Sequence, residues 1–406
     1  MRAFHYYATL LLAAAAACDA WPYGRTIPPL PAAWRSTVAA DVATAYFVGN
    51  STGLDSAVEL AAEARWGIIG IGWQLNGSWI PHGPHKGNHF GRHVEIAERE
   101  TAAALKSRNP KLKVLLGRNT EVATCYLDSV AAIWNRTDFW LKCPNKTDPA
   151  APASDCVSGW GSWGQKKFFD FSQPALQAWY ADTYLNSSIN DPLFDGVFFD
   201  CACGHPRNAS AFGDAAYAAG YKQVWQKVNA ALAAKGRWGT AWAGPNVLNP
   251  TVNTAGQNKV CKYLMPKIIK AGQANGTSQF EWVGNLLGHN PDRFPHPDNF
   301  TLYIAGFLLG KGESSTLTAH VTGGFDASIL DESGFTNNSA LLNVDYGEPL
   351  GLGACVGGEV GRTCPSLTWE RRLSKSTVAI RCDNATGAAT AWITLHDVAL
   401  KQDIAF

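Results

Sequence analysis

Short apolar runs and longer amphipathic stretches alternate along the chain from residue 43 onward. Runs of four to eight apolar residues bounded by turn formers read as buried strands, and apolar positions three and four apart read as helices. On that basis residues 43–48, 67–73 and 113–117 are strands, with helices over 54–65 and 94–107 between them. Residues 135–167, with their Cys, Pro and Trp, form a long insertion. A helix over 174–184 precedes the plainest run of all, Leu193-Phe194-Asp195-Gly196-Val197-Phe198-Phe199-Asp200. There a turn dipeptide opens an apolar strand that stops abruptly at a carboxylate. Further pairs follow: helix 209–234 and strand 238–242, helix 259–271 and strand 278–283, helix 297–309 and strand 315–320, then a last strand at 341–344.

Eight strands with helices between them predict an α/β chain, a (β/α)8 TIM barrel, over residues 21–358. Past it, residues 376–381 and 389–395 alternate apolar and polar around Asp383-Asn384-Ala385-Thr386-Gly387. That is a hairpin pattern, so residues 359–406 are expected to be a small C-terminal β element.

The first 20 residues are a different matter. Arg2, an Ala/Leu-rich core and Cys18-Asp19-Ala20 before Trp21 read as a secretory signal peptide. A lipoprotein signal acylated at Cys18 is the competing reading, but only Ala precedes that cysteine over several positions. Asn-x-Ser/Thr sequons begin at Asn50, Asn76, Asn135, Asn145, Asn186, Asn208, Asn275, Asn299, Asn337 and Asn384. Together these point to a secreted glycoprotein, extracellular or vacuolar/lysosomal, carrying N-linked glycans. Past the leader the cysteines are Cys125, Cys143, Cys156, Cys201, Cys203, Cys261, Cys355, Cys364 and Cys382. Cys143 with Cys156, and Cys355 with Cys364, bracket short loops and are expected to be disulfides; the odd total leaves one thiol over. A net charge of +1 without a long basic run argues against nucleic acid, and no later apolar stretch is long enough to cross a membrane.

Asp200 is the first candidate for chemistry, because ligands of parallel α/β folds bind at the carboxyl ends of the strands. Its plainer role would be a turn former or a partner for a core Arg. Glu281, in Gln279-Phe280-Glu281-Trp282, lies in the sixth strand slot and is expected near that strand's carboxyl end. Two carboxylates at one barrel mouth are the equipment of glycoside hydrolysis. Trp73, Gln74, Asn119, Trp242 and His320 end other strands, and a sugar needs such stacking faces and paired polar groups. Trp160 and Trp163 are candidates for the rim. His82, His85, His89 and His93 have ligand-like spacing, but Pro and Gly between them break any helix, so no metal is expected. A bound metal there would instead suit a polysaccharide deacetylase. No phosphate or dinucleotide fingerprint and no Gly-x-Ser-x-Gly elbow is present, so neither a cofactor nor esterase chemistry is expected.

Phe194-Asp195-Gly196-Val197-Phe198-Phe199-Asp200 resembles the Asp-Gly-(Val/Ile)-Phe-x-Asp strand of several barrel glycoside hydrolases. Phe169-Asp170-Phe171-Ser172-Gln173-Pro174 with Trp179-Tyr180 resembles the segment before it. Asp345-Tyr346-Gly347-Glu348-Pro349-Leu350-Gly351 with Trp369-Glu370-Arg371-Arg372 resembles the closing section of the hypothetical glycoside hydrolase family fifteen-like. More distantly, Asp200 at the end of the fourth strand, with cysteines at 201 and 203, resembles the fourth-strand nucleophile of α-galactosidase-type barrels. Their acid/base lies on the sixth strand and is usually Asp, where this chain has Glu281. The resemblance, over residues 40–395, implies a two-carboxylate glycosidase with Asp200 as nucleophile and Glu281 as acid/base. The rival expectation is a carbohydrate-binding protein on a degenerate barrel.

Overall fold

The computed structural model describes residues 43–45, 64, 67–71, 94–124, 127–144, 151–156, 166–200, 214–241, 247–248, 279–284, 300–311, 316–321, 344–356, 364, 366–382 and 389–396. The strands of its first half are β1 (Ala43–Ala45), β2 (Ile68–Ile71), β3 (Lys113–Asn119), β4 (Val122–Thr124), β5 (Lys142–Cys143), β6 (Ser154–Asp155), β7 (Lys166–Phe168), β8 (Gly196–Asp200) and β9 (Trp238–Ala241). Those of the second half are β10 (Val247–Leu248), β11 (Gln279–Gly284), β12 (Thr316–Val321), β13 (Ala354–Cys355), β14 (Thr368–Arg372), β15 (Ser376–Cys382) and β16 (Ala389–Leu395). The helices are α1 (Val94–Arg108), α2 (Asp128–Ala131), α3 (Pro174–Trp179), α4 (Asn186–Asn190), α5 (Ala215–Ala233) and α6 (Phe300–Gly310), and a π-turn over Tyr180–Tyr184 joins α3 to α4.

Five strands form one sheet in the order β1-β2-β3-β8-β9, and β10-β11-β12 form another. β3, β8 and β9 run parallel, as do β10, β11 and β12. Neighbours in each sheet follow the order of these strands in the chain, which is the winding a (β/α)8 barrel requires. Among the described residues the two sheets are separate and no closed barrel is formed. The eighth expected strand, 341–344, is not found where it can be checked: Val344 has no strand pairing, and 341–343 lie outside the described residues. The expected helix 259–271 lies outside them too, as does 54–65 apart from Ala64, which stands in a turn.

The helices form where their apolar stripes can be covered. In α1 the buried positions Val94, Ala97, Glu98, Thr101, Ala102 and Leu105 keep the three-and-four spacing of one face. Lys106 and Arg108 lie at its last turn, where cations suit the helix dipole. α5 starts at Asp214, whose carboxylate accepts the Tyr217 N–H at 2.7 Å. It ends in a Schellman turn: Gly236 takes φ +64°, Gly236 N–H reaches Ala233 O and Arg237 N–H reaches Leu232 O. Midway along it, a Cβ on Gly220 would run into the Phe171 carbonyl oxygen, so only glycine lets α5 approach that segment.

The insertion is short in strand but tightly tied. β5 pairs β6 antiparallel, and the Cys143–Cys156 disulfide lies at that pair. Lys167 lies over the rings of Trp134 at 4.6 Å and Trp140 at 5.2 Å and pairs with Asp155 at 2.9 Å. The C-terminal β element is larger than a hairpin. β15 and β16 pair as expected, and β14 and β13 extend them to a four-stranded antiparallel sheet. The second expected disulfide, Cys355–Cys364, is formed. Cys382 is also disulfide-bonded. Arg371 of β14 fastens α6 to this sheet. Its Nη1 donates to the carbonyls of Leu308, Leu309 and Lys311 at 3.1, 3.1 and 2.5 Å, and its Nε donates to Gly351 O at 2.7 Å. One guanidinium thereby satisfies three carbonyls at or just past the end of a helix.

By its contacts the chain divides into two units. One comprises residues 1–28, 45–64 and 70–244, the other 29–44, 65–69 and 245–406.

Candidate functional site

The Asp-Gly pair that opens the central motif is architectural. Asp195 accepts the Val114 N–H at 2.9 Å and the Lys106 ammonium at 2.6 Å, and its own N–H donates to Val114 O at 2.7 Å. This pins the start of β8 to β3. Gly196 follows because a Cβ there would collide with the Trp238 backbone of β9. With both neighbours fixed at its start, β8 runs in register with β3, from Leu115 opposite Gly196 to Asn119 opposite Asp200. The two strands therefore end together, on an amide and an acid.

Alternation along the strands assigns the faces. Phe199 lies 4.5 Å from Trp225 of α5, ring to ring, and its register partner Arg118 is buried against Glu98 of α1. That face is the one covered by helices. Asn119 and Asp200 are one residue on and take positions of the opposite face, at the carboxyl edge. The Asp200 side chain lies outside the described residues.

Asn119 itself is described, and it does local work. Its Oδ1 accepts the N–H groups of Glu121 and Val122 at 3.1 and 2.9 Å. Both lone pairs of that oxygen are spent on turning the chain from β3 into β4. Its carbonyl accepts the hydroxyls of Tyr180 at 3.4 Å and Tyr184 at 3.3 Å, and Tyr180 also reaches Thr120 O at 3.2 Å. The π-turn brings both phenols to the same strand end. Beneath them Phe169, Phe171, Trp179, Tyr180 and Tyr184 make a packed aromatic cluster, with Phe169 and Tyr180 edge to face at 5.4 Å. Asp170, from the segment before the motif, caps the turn into α3: its Oδ1 accepts Ser172 N–H at 3.0 Å and Ser172 O–H at 2.6 Å.

The buried groups at this strand end to which sequence reasoning gave no role are Glu98, Tyr180 and Tyr184. Glu98 and Arg118 form a buried two-pronged pair at 2.6 and 2.8 Å. Burial pushes the Glu98 carboxyl up to about 7 against the pull of Arg118. Burial also works against the Arg118 charge, but Glu98 outweighs it and holds the guanidinium above its ordinary range. The available signal was Glu98 itself, an acid on the apolar stripe of a helix. The tyrosines gave no such signal, since in a regular helix they are read as core.

In the second unit, Glu281 is the third of six residues in β11 and pairs with Thr318 of β12, while His320 pairs with Val283. Parallel register gives Glu281, Val283, Thr318 and His320 positions on one face. The strand runs three residues beyond Glu281, so Glu281 stands mid-strand rather than near the carboxyl end. His320, expected to end its strand, is next to last in β12, which runs on to Val321. The side chains of Glu281 and His320 lie outside the described residues, as do Trp73, Gln74, Trp242, Trp160, Trp163 and the histidines of 82–93. Trp73 and Gln74 follow β2 closely, and Trp242 directly follows β9. Among the described residues no group of three or more His, Cys, Asp or Glu is arranged to hold a metal, and no helix is long and apolar enough to cross a membrane.

No family model matches the chain, and no curated protein does. Solved structures of carbohydrate-active enzymes are similar to it at low identity. The galactosidase domain of an α-galactosidase–sucrose kinase is 12% identical with a TM-score of 0.42, over 88% of this chain and 47% of that one. An α-galactosidase of Geobacillus stearothermophilus, in complex with raffinose, is 11% identical with a TM-score of 0.43, over 88% and 49%. Sucrose 6F-phosphate phosphorylase from Thermoanaerobacter thermosaccharolyticum is 8% identical with a TM-score of 0.45, over 88% and 96%. The chain spans about half the length of the two galactosidase chains.

Proposed function

We propose that the chain is a secreted glycoside hydrolase that cleaves oligo- or polysaccharide with two carboxylates. Asp200 is the nucleophile and Glu281 the acid/base. The observation that carries the reading is the place of Asp200. It ends β8 in a parallel sheet, beside the end of β3, on the face away from the helices, and parallel α/β sheets bind ligands at that edge. A short acid on a rigid strand end suits an attacking group, which must stay ionised and close to the anomeric carbon. Trp73, Gln74, Trp242 and His320 are proposed to bind the sugar, and Asn119 to shape the rim through the turn it holds.

A panel of nitrophenyl glycosides and polysaccharides tests this, with wild type, Asp200→Asn and Glu281→Gln side by side. Asp200→Asn keeps shape and removes charge, so hydrolysis is expected to fall roughly a thousandfold or more with polysaccharide binding retained. Normal turnover by that variant would remove Asp200 from the chemistry. Binding by wild type without turnover would favour a carbohydrate-binding protein on a degenerate barrel. The nucleophile role further requires that NMR show the first-formed anomer with retained configuration. An inverted product would make Asp200 the general base, with carboxyls about 6.5–9.5 Å apart rather than the 5–5.5 Å of retention.

A further inference from the structure

We infer that Asn135 and Asn186 are sites of N-linked glycosylation. Sequons are frequent by chance, so the inference rests on where these two stand and on how the chain handles its cysteines. Both belong to the described residues, and both asparagines are exposed. Asn135 stands in an exposed turn after α2, with Arg136, Thr137 and Asp138 exposed beside it. The charged neighbours are occupied with each other: Arg136 grips Asp138 through two hydrogen bonds at 2.9 and 2.7 Å, and its guanidinium lies 4.2 Å over the Phe139 ring. No hydrogen bond of the Asn135 side chain is found among the described residues, so its amide is open to solvent.

Asn186 is the first residue of α4. Its Oδ1 accepts a hydrogen bond from the Asn190 Nδ2 at 2.5 Å. That bond uses the oxygen and leaves the Asn186 nitrogen, the atom a glycan is attached to, outside the contact. A glycan there keeps the Asn190 bond. Asn190 is in turn held by the Lys235 ammonium at 2.7 Å, so the local fold does not depend on the amide hydrogens of Asn186.

The second observation is the covalent chemistry. Cys143–Cys156 and Cys355–Cys364 are closed, and Cys382 is a fifth half-cystine. Such bridges persist in oxidising compartments, and in a eukaryotic secretory route that is where sequons meet the glycosylation machinery. Attachment replaces one amide hydrogen of the asparagine by a sugar. The lipid-linked oligosaccharide of that compartment is the donor, and its lipid pyrophosphate leaves.

The test expresses the full chain with its own leader in a yeast secretory host. Peptides are digested with an amidase that converts glycosylated Asn to Asp in heavy-oxygen water, and mapped by mass spectrometry. Both 135 and 186 are expected to carry the heavy-oxygen mark in most molecules. Thr137→Ala, which breaks one sequon and leaves Asn135 in place, is expected to remove one gel-mobility step while the protein is still secreted. Asn186→Gln is expected to remove another. Unmarked peptides at either position in secreted protein would overturn that site. A chain retained in the cytosol with every sequon bare would overturn both.

Discussion

Arg118 and Glu98 show how one buried pair holds a strand end. Removing one partner of such a pair leaves an uncompensated buried charge, which costs about 3–5 kcal/mol. Arg118→Met is therefore expected to lower the urea midpoint strongly, and Glu98→Gln in the same chain is expected to recover much of the loss. The sign of the pH dependence follows. Without Arg118, burial and the nearby Glu95 and Asp128 charges act on Glu98 without that counterweight, and its folded value rises further above the ordinary carboxylate value of about 4.3. A carboxyl whose folded value is raised favours the folded state while protonated, and that stability is lost as pH climbs from the unfolded value through the folded one. Hence Arg118→Met is expected to be hurt more at pH 8 than at pH 5. Equal losses at both would mean that removing Arg118 does not raise the Glu98 carboxyl further. The pair also explains an error of reading. A strand over 113–117 stops before Arg118 because a charged residue looks like an end; neutralised by Glu98, Arg118 is core, and β3 continues to Asn119.

At the scale of elements, the strand β8 was legible because its apolar run, its opening Asp-Gly and its terminal acid are all local in sequence. The stretch 174–184 was legible as a helix in extent and wrong in kind. Its last five residues are a π-turn, and nothing in the residue types separates that from an α-helix. The phase comes from tertiary partners, namely the Asn119 and Thr120 carbonyls that the two phenols meet. Tyr180→Phe and Tyr184→Phe are each expected to cost about 1 kcal/mol, read by chemical denaturation, because a buried carbonyl loses a donor while packing is kept. Unchanged stability in the double variant would show that these bonds are replaced by others. Gly220→Ala is expected to destabilise by about 1–3 kcal/mol, as overpacking does. An unchanged midpoint would mean that α5 can move away from Phe171 freely.

On the scale of the whole molecule, the disulfide pairs were legible because each closes a loop of 13 or 9 residues. Each is expected to contribute about 2–3 kcal/mol, checked by comparing unfolding with and without reductant; non-reducing peptide mapping that finds either pair crossed would refute the assignment. Barrel closure was not legible to the same degree. It depends on pairings between strands far apart in sequence, which no local pattern encodes. The strand order β1-β2-β3-β8-β9 carries a consequence for how the chain is made. All five strands are complete once residue 241 is synthesised, whereas β10-β11-β12 need residue 321. At about 5–20 residues per second, the first sheet has its partners well before the second has its own. A nascent chain halted with β9 clear of the ribosome is thus expected to protect β3 and β8 from protease, and their full cleavage there would show that the first sheet waits for the later strands.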